Sequence, residues 1–164
     1  MDHPDEHSLI KELFISIKNH DLKMVKTIIK YTDFSTNLRN SYGNSPLLAA
    51  VAEGSIEIVE FLIQNGANLA DITNDGKNGA MIACTTGNYE MLRKLLQFTV
   101  HLDQRANNGS TCLMIAASLG HAKICFELIK RGATLLEEAL FCAVKSNHLN
   151  VVKTLLFNGA NVDV

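Results

Sequence analysis

The side chains best suited to chemistry are four cysteines and six histidines. The cysteines are Cys84, Cys112, Cys125 and Cys142, and no two stand in a Cys-x-x-Cys spacing. His121 and Cys125 are four apart, which would put both on one helix face. Two ligands do not make a tetrahedral zinc site. The open readings for the cysteines are a redox sensor, a zinc site or reduced thiols packed in a core. The last is the expectation, because each falls where a small or apolar residue is wanted. His3, His7, His20 and His101 lack any repeated ligand spacing. No phosphate-binding glycine loop, nucleophile elbow or His-Glu-x-x-His occurs. The expectation is therefore no catalytic residue, no cofactor and no metal.

The bulk properties exclude more. Apolar residues make up 47% of the 164 and charged residues 20%, a balance that folds. The formal net charge of −2 leaves no electrostatic footprint for nucleic acid or acidic lipid. No apolar run approaches the length of a membrane span. The stretch Met1-Asp2-His3-Pro4-Asp5-Glu6-His7 is acidic and polar, the opposite of a secretory signal, so a cytosolic location is expected.

What would position any side chain is a repeat. Gly43, Gly76 and Gly109 stand 33 residues apart, as do Ala50, Ala83 and Ala116, and Gly54, Gly87 and Gly120. In the clearest copy Ser45-Pro46-Leu47 opens a short inner helix, with proline in the first turn where its missing donor costs little. Small residues around Ala50 let neighbouring inner helices approach. Gly54 supplies a positive φ after that helix. Ile58, Val59, Leu62 and Ile63 then recur at helical spacing and bury one face of an outer helix that Gly66-Ala67 ends.

The other copies vary. The second, 73–105, is the weakest, with Asn78-Gly79-Ala80 in place of Ser45-Pro46-Leu47 and Thr99-Val100 in place of Gly66-Ala67. The third, 106–134, carries Thr111-Cys112-Leu113, Gly120-His121 and Gly132-Ala133. Upstream, Met24-Val25 and Ile28-Ile29 match Ile58-Val59 and Leu62-Ile63 over a polar inner helix, as a capping unit at 8–39 requires. In the last copy, 135–164, Gly132 and Gly159 are only 27 apart. The missing six residues come from the turn, so the inner helix is expected to begin within two residues of Leu135 with no projecting turn. Thr134-Leu135-Leu136-Glu137 fits a capping box.

These residues resemble the ankyrin-repeat family. Ser45-Pro46-Leu47-Leu48-x-Ala50 is similar to its Thr-Pro-Leu-His-x-Ala motif, Thr111-Cys112-Leu113-Met114-x-Ala116 more loosely, and the Gly-His and Gly-Ala marks recur. The resemblance covers about residues 8 to 164. It implies an all-α solenoid of paired antiparallel helices in one domain, about five pairs including a divergent N-terminal capping pair. The remaining unit is 40–72. The family's motif histidine is Leu48, Met81 and Met114 here, so its Thr–His hydrogen bond is missing, which should lower local rigidity. His121 and His148 occupy the family's glycine-histidine position, where helix capping is the plain expectation.

The resemblance further implies a concave groove made of turn tips and inner helices. Its expected lining includes Tyr42, Asn44 and Glu53, then Asp75, Lys77 and Thr86, then Asn108, Ser110 and Leu119. Tyr42 and Leu119 are the expected anchors. Asn108 and Asn74, near turn glycines, read first as turn chemistry. Phe126 and Phe157 fall at outer-helix positions expected to face solvent or the convex back; a second contact is one reading, and packing on the neighbouring outer helix is the plainer expectation. The function implied is a non-enzymatic scaffold whose partner is another protein, with no nucleic acid, membrane or small-molecule ligand. The alternative is a targeting or regulatory arm of a longer protein, an enzyme or an effector delivered to a host cytosol, continuing beyond Val164.

Overall fold

A computed structural model describes residues 6–31, 38–98 and 101–162. Among these residues the chain is helical and without strands. Its contacts divide it into two compact units, Met1–Asn74 and Asp75–Val164.

The first unit holds α1 (Glu6–Lys18), α2 (Leu22–Tyr31), α3 (Pro46–Glu53) and α4 (Ile56–Gln64). Helices α1 and α2 form one pair and α3 and α4 another; inner α1 packs on inner α3, and outer α2 on outer α4. Leu13, Ile17, Val25, Ile28, Leu48, Ile58, Val59 and Leu62 are buried in its interior. Removing a methylene-rich side chain such as Leu62 from such a site costs about 2–5 kcal/mol.

The second unit holds α5 (Gly79–Thr86), α6 (Tyr89–Leu95), α7 (Cys112–Ser118), α8 (Ala122–Lys130), α9 (Leu136–Lys145) and α10 (Leu149–Phe157). Inner helices α5, α7 and α9 pack in series, as do outer helices α6, α8 and α10. Met81, Met91, Leu92, Leu113, Ile124, Leu128 and Leu155 are its largest fully buried side chains.

The inner helices start as the sequence requires. Side-chain oxygens of Ser45, Asn78 and Thr111 accept from the backbone N–H groups of Leu48, Met81 and Met114 at 3.3, 2.9 and 3.4 Å. Each bond satisfies a donor that the first helical turn leaves open. Leu48, Met81 and Met114 are themselves buried, so the positions that lack the family's histidine are filled by packing instead. The weak second copy still folds as a helix pair: Asn78 caps α5 and also donates to Gln104 at 3.0 Å. Its Thr99-Val100 lies outside the described residues, as does His3.

The last inner helix begins at Leu136, directly after the preceding repeat and without a projecting turn. The expected capping box is not formed. Leu135 holds the N-cap position, and no side chain caps the helix. The Thr134 hydroxyl instead donates to Asp103 Oδ2 at 2.6 Å while the Thr134 N–H donates to Oδ1 at 3.2 Å. Glu137 turns the other way and accepts the Asn161 N–H at 3.1 Å. Both the hydroxyl and the N–H of Thr134 thus serve the Asp103 carboxylate, and such charge-assisted bonds are stronger than neutral ones.

Candidate protein-binding surface

The turn tips are built by asparagine. Asn40 Oδ1 accepts the N–H groups of both Tyr42 and Asn44 at 3.0 Å, closing the tip around Gly43 at φ +78°. Asn74 Nδ2 reaches back to the Tyr42 carbonyl at 3.3 Å, and its carboxamide covers the face of Gly43. In the second unit the Asn107 N–H donates to the Asp75 carbonyl at 3.0 Å, and the Asn107 side chain covers Gly76. Asn108 Oδ1 accepts from Ser110 N–H at 3.1 Å, so its acceptor serves the turn.

Within the first unit this leaves Tyr42 projecting, 78% exposed, above its own fixed carbonyl. Asn44 is half-buried in the same turn, and Glu53 is exposed at the last residue of α3. Within the second unit Asp75 and Lys77 pair across the tip at 3.0 Å. Thr86 is exposed at the last residue of α5, its hydroxyl donating to the Ile82 and Ala83 carbonyls at 3.2 Å. Leu119 ends α7 at its C-cap and is 45% exposed. Ser110 is half-buried beside Asn108.

His121 and His148 stand at the N-caps of α8 and α10 and make no side-chain cap. Their rings lie instead over the glycines that end the preceding inner helices. A β-carbon on Gly87 would meet His121 at 2.7 Å, and one on Gly120 would meet His148 at 2.7 Å. The His148 ring nitrogen Nε2 also bonds to the Ser118 carbonyl at 3.0 Å.

The thiols are free; Cys84, Cys112 and Cys125 are buried and Cys142 is half-buried. A hydrogen bond with Cys112, and then burial, raise the Cys84 thiol well above its ordinary value. Burial pushes Cys125 up to about 12. Such thiols are poor nucleophiles at neutral pH. Among the described residues no group of three or more His, Cys, Asp or Glu side chains is arranged to hold a metal ion. A cleft of about 470 Å³ is lined by His101, Leu102, Asp103, Gln104, Arg131 and Gly132. Its polar groups serve the fold: Arg131 bonds to Glu127 and the Leu96 carbonyl, Asp103 to Thr134, Gln104 to Asn78.

Sequence reasoning missed the ion pairs between repeats. Arg39 grips Asp71 through two bonds of 2.8 and 2.6 Å. Arg105 grips Glu138 at 3.0 and 2.9 Å and donates to the Gly109 carbonyl at 2.7 Å. Arg39 and Arg105 are 66 apart, twice the period, and that phase relation was the one available signal. The two outer phenylalanines stand at the solvent-facing positions that the repeat gives them, Phe126 50% and Phe157 91% exposed, so the expected packing on a neighbouring outer helix does not account for them.

A family description of ankyrin repeats, three copies, matches residues 11–72 and 80–164. Together with the helix pairs and the phase of the turn glycines, this match defines the class: a helical-repeat protein. The chain belongs to the ankyrin-repeat family. Ankyrin repeats are generally protein–protein interaction modules and typically non-catalytic. No helix among the described residues is long and apolar enough to cross a membrane.

Proposed function

We propose that this chain is a non-catalytic protein-binding scaffold that meets its partner through the turn tips and exposed inner-helix ends. The observation that carries this reading is the state of Tyr42. Its backbone is fixed on both sides, by Asn40 and Asn74, while its ring stands in solvent. A preordered aromatic loses little entropy on binding, which is what a hot-spot anchor needs. Leu119 offers a smaller apolar contact in the second unit. Asn44 and Glu53 in the first unit, and Asp75, Lys77, Thr86, Asn108 and Ser110 in the second, supply polar surroundings that set register. The partner is another protein; nucleic acid, membrane and small-molecule ligands do not enter this reading. Four free thiols, with Cys84 and Cys112 side by side, fit a reducing cytosol.

The test is capture from cytosol with the chain as bait, mass spectrometry, and calorimetry on each partner recovered. Tyr42→Ala and Leu119→Ala should each weaken binding by about 1 kcal/mol or more. Binding that survives both substitutions unchanged refutes the site.

A further inference from the structure

The outer helices of the second unit carry a surface that neither stacking nor the turn-tip reading explains. Phe126 occupies a repeat position held by Glu60, Arg93 and Lys153 in the other copies. Phe157 occupies one held by Gln64, Gln97 and Lys130. Both positions are therefore solvent positions of the repeat, and in these two places alone they are aromatic. The two rings flank a shallow cleft of about 330 Å³ lined by Phe126, Lys153, Thr154, Phe157 and Asn158. Folding gains almost nothing from Phe157 at 91% exposure, although a buried phenylalanine is worth several times an exposed one.

The exposed charge on α8 and α10 has one sign, and Lys153 lines the cleft itself. On α8, Lys123, Phe126 and Lys130 fall at helical spacing along a single stripe, and on α10 Lys153 and Phe157 do the same. All three lysines are exposed. The only acid on these two helices is Glu127, which is buried and held by Arg131 at 3.0 Å. Lys123 is stationed over the ring of Tyr89 on α6, 3.8 Å from its centroid.

We infer that the Phe126–Phe157 cleft with Lys123, Lys130 and Lys153 docks an acidic protein segment. One aliphatic or aromatic side chain of that segment enters the cleft, and its carboxylates meet the lysines. Aromatic residues in a cleft with cations at the rim are the arrangement of a binding hot spot and its steering charges. An anionic membrane is disfavoured, because surface recognition of lipid takes clusters of about four to eight basic residues and no cleft.

The test is fluorescence polarisation with a labelled peptide of about 15 residues, leucine and phenylalanine on one helical face and glutamate elsewhere. A second peptide replaces every glutamate by lysine, and phosphatidylserine vesicles form a third arm. The glutamate peptide should bind saturably and more weakly as salt rises. Phe157→Ala and Lys153→Glu should each weaken it about tenfold, with melting temperature unchanged and Tyr42→Ala without effect. The inference is overturned if the glutamate peptide fails to bind, if the lysine peptide binds equally well, if Phe157→Ala leaves affinity intact, or if the protein prefers the vesicles.

Discussion

The Asn107 carboxamide lies so close over Gly76 that a β-carbon on the glycine would run into Oδ1 of Asn107. Asn74 has the same relation to Gly43 in the first unit, one period earlier. Each turn glycine is thus required twice, for its positive φ and for its missing side chain. Gly109 is different. Nothing lies within 4 Å of where its β-carbon would be, because the next copy has lost its projecting turn.

That contrast predicts two costs for one substitution. Gly109→Ala meets only the left-handed backbone, at φ +82°, and should cost about 1–2 kcal/mol. Gly76→Ala meets the same backbone strain at φ +77° plus the collision, and should cost clearly more. Urea unfolding of both variants checks the order, and Asn107→Ala added to Gly76→Ala should recover part of the difference. Equal losses at the two glycines would remove the interlock.

Thr134 stabilises the last copy through Asp103 and not through a helix cap. Thr134→Val keeps the shape and deletes the hydroxyl, and should cost about 1 kcal/mol for one exposed charge-assisted bond. Asp103→Asn should cost a similar amount, and the double variant little more than either alone. Additive losses in that cycle would show that the two side chains act separately.

Glu137 gives the same region a pH signature. The backbone N–H of Asn161 holds its carboxyl below the usual carboxylate range. A depressed folded value means that the contribution is present above the unfolded value, about 4.3, and is lost as pH falls through the folded one. Stability measured from about pH 6 to pH 3 should therefore fall less steeply in Glu137→Gln than in the native chain.

The ledger of what was legible follows from range. The helices, the N-caps at Ser45, Asn78 and Thr111 and the start of α9 depend on neighbours within a turn, and the sequence displays those. The capping box at Thr134 also read well locally, yet Asp103 is 31 residues away and took the hydroxyl. Arg39 and Asp71 are 32 apart, and no local pattern pairs them. Phase put Phe157 at a solvent-facing position, but whether the neighbouring outer helix covers it depends on what α8 places opposite, which no local pattern states. The turn tips were placed by phase, but that Asn40 and Asn74 brace Tyr42 required the folded chain.

The thiols should divide by burial. Cys84, Cys112 and Cys125 are buried, and Cys142 is half-buried at the surface of α9. In native protein at pH 8 iodoacetamide should modify Cys142 first and leave the other three until urea unfolds the chain, as peptide mass spectrometry will show. The raised values at Cys84 and Cys125 also set a sign at high pH. Their protons stay on in the folded state and leave in the unfolded state above about pH 8.5. Stability should therefore fall as pH rises past that point and less so in a Cys125→Ala variant, after allowance for its smaller side chain.

Arg39–Asp71 and Arg105–Glu138 start from arginines in the same phase but lie in different surroundings, and they should differ in worth. The Asp71 side chain is only 9% exposed and also accepts the Ile72 N–H at 3.1 Å, so its charge has left most of its water. Arg39 forks onto both of its oxygens. Without Arg39 a nearly buried carboxylate loses its cation, and Arg39→Ala should cost about 2–4 kcal/mol. Glu138 and Arg105 are both about half exposed, so water replaces either partner cheaply. Glu138→Gln should then cost no more than about 1 kcal/mol. Arg39→Lys separates charge from geometry: lysine keeps the cation but cannot span both oxygens, and should recover only part of the loss. Denaturant unfolding in low and high salt completes the case, since the part-buried pair should fade less with salt than the exposed one. If Arg39→Ala and Glu138→Gln prove equally mild, burial is not what makes the first pair matter.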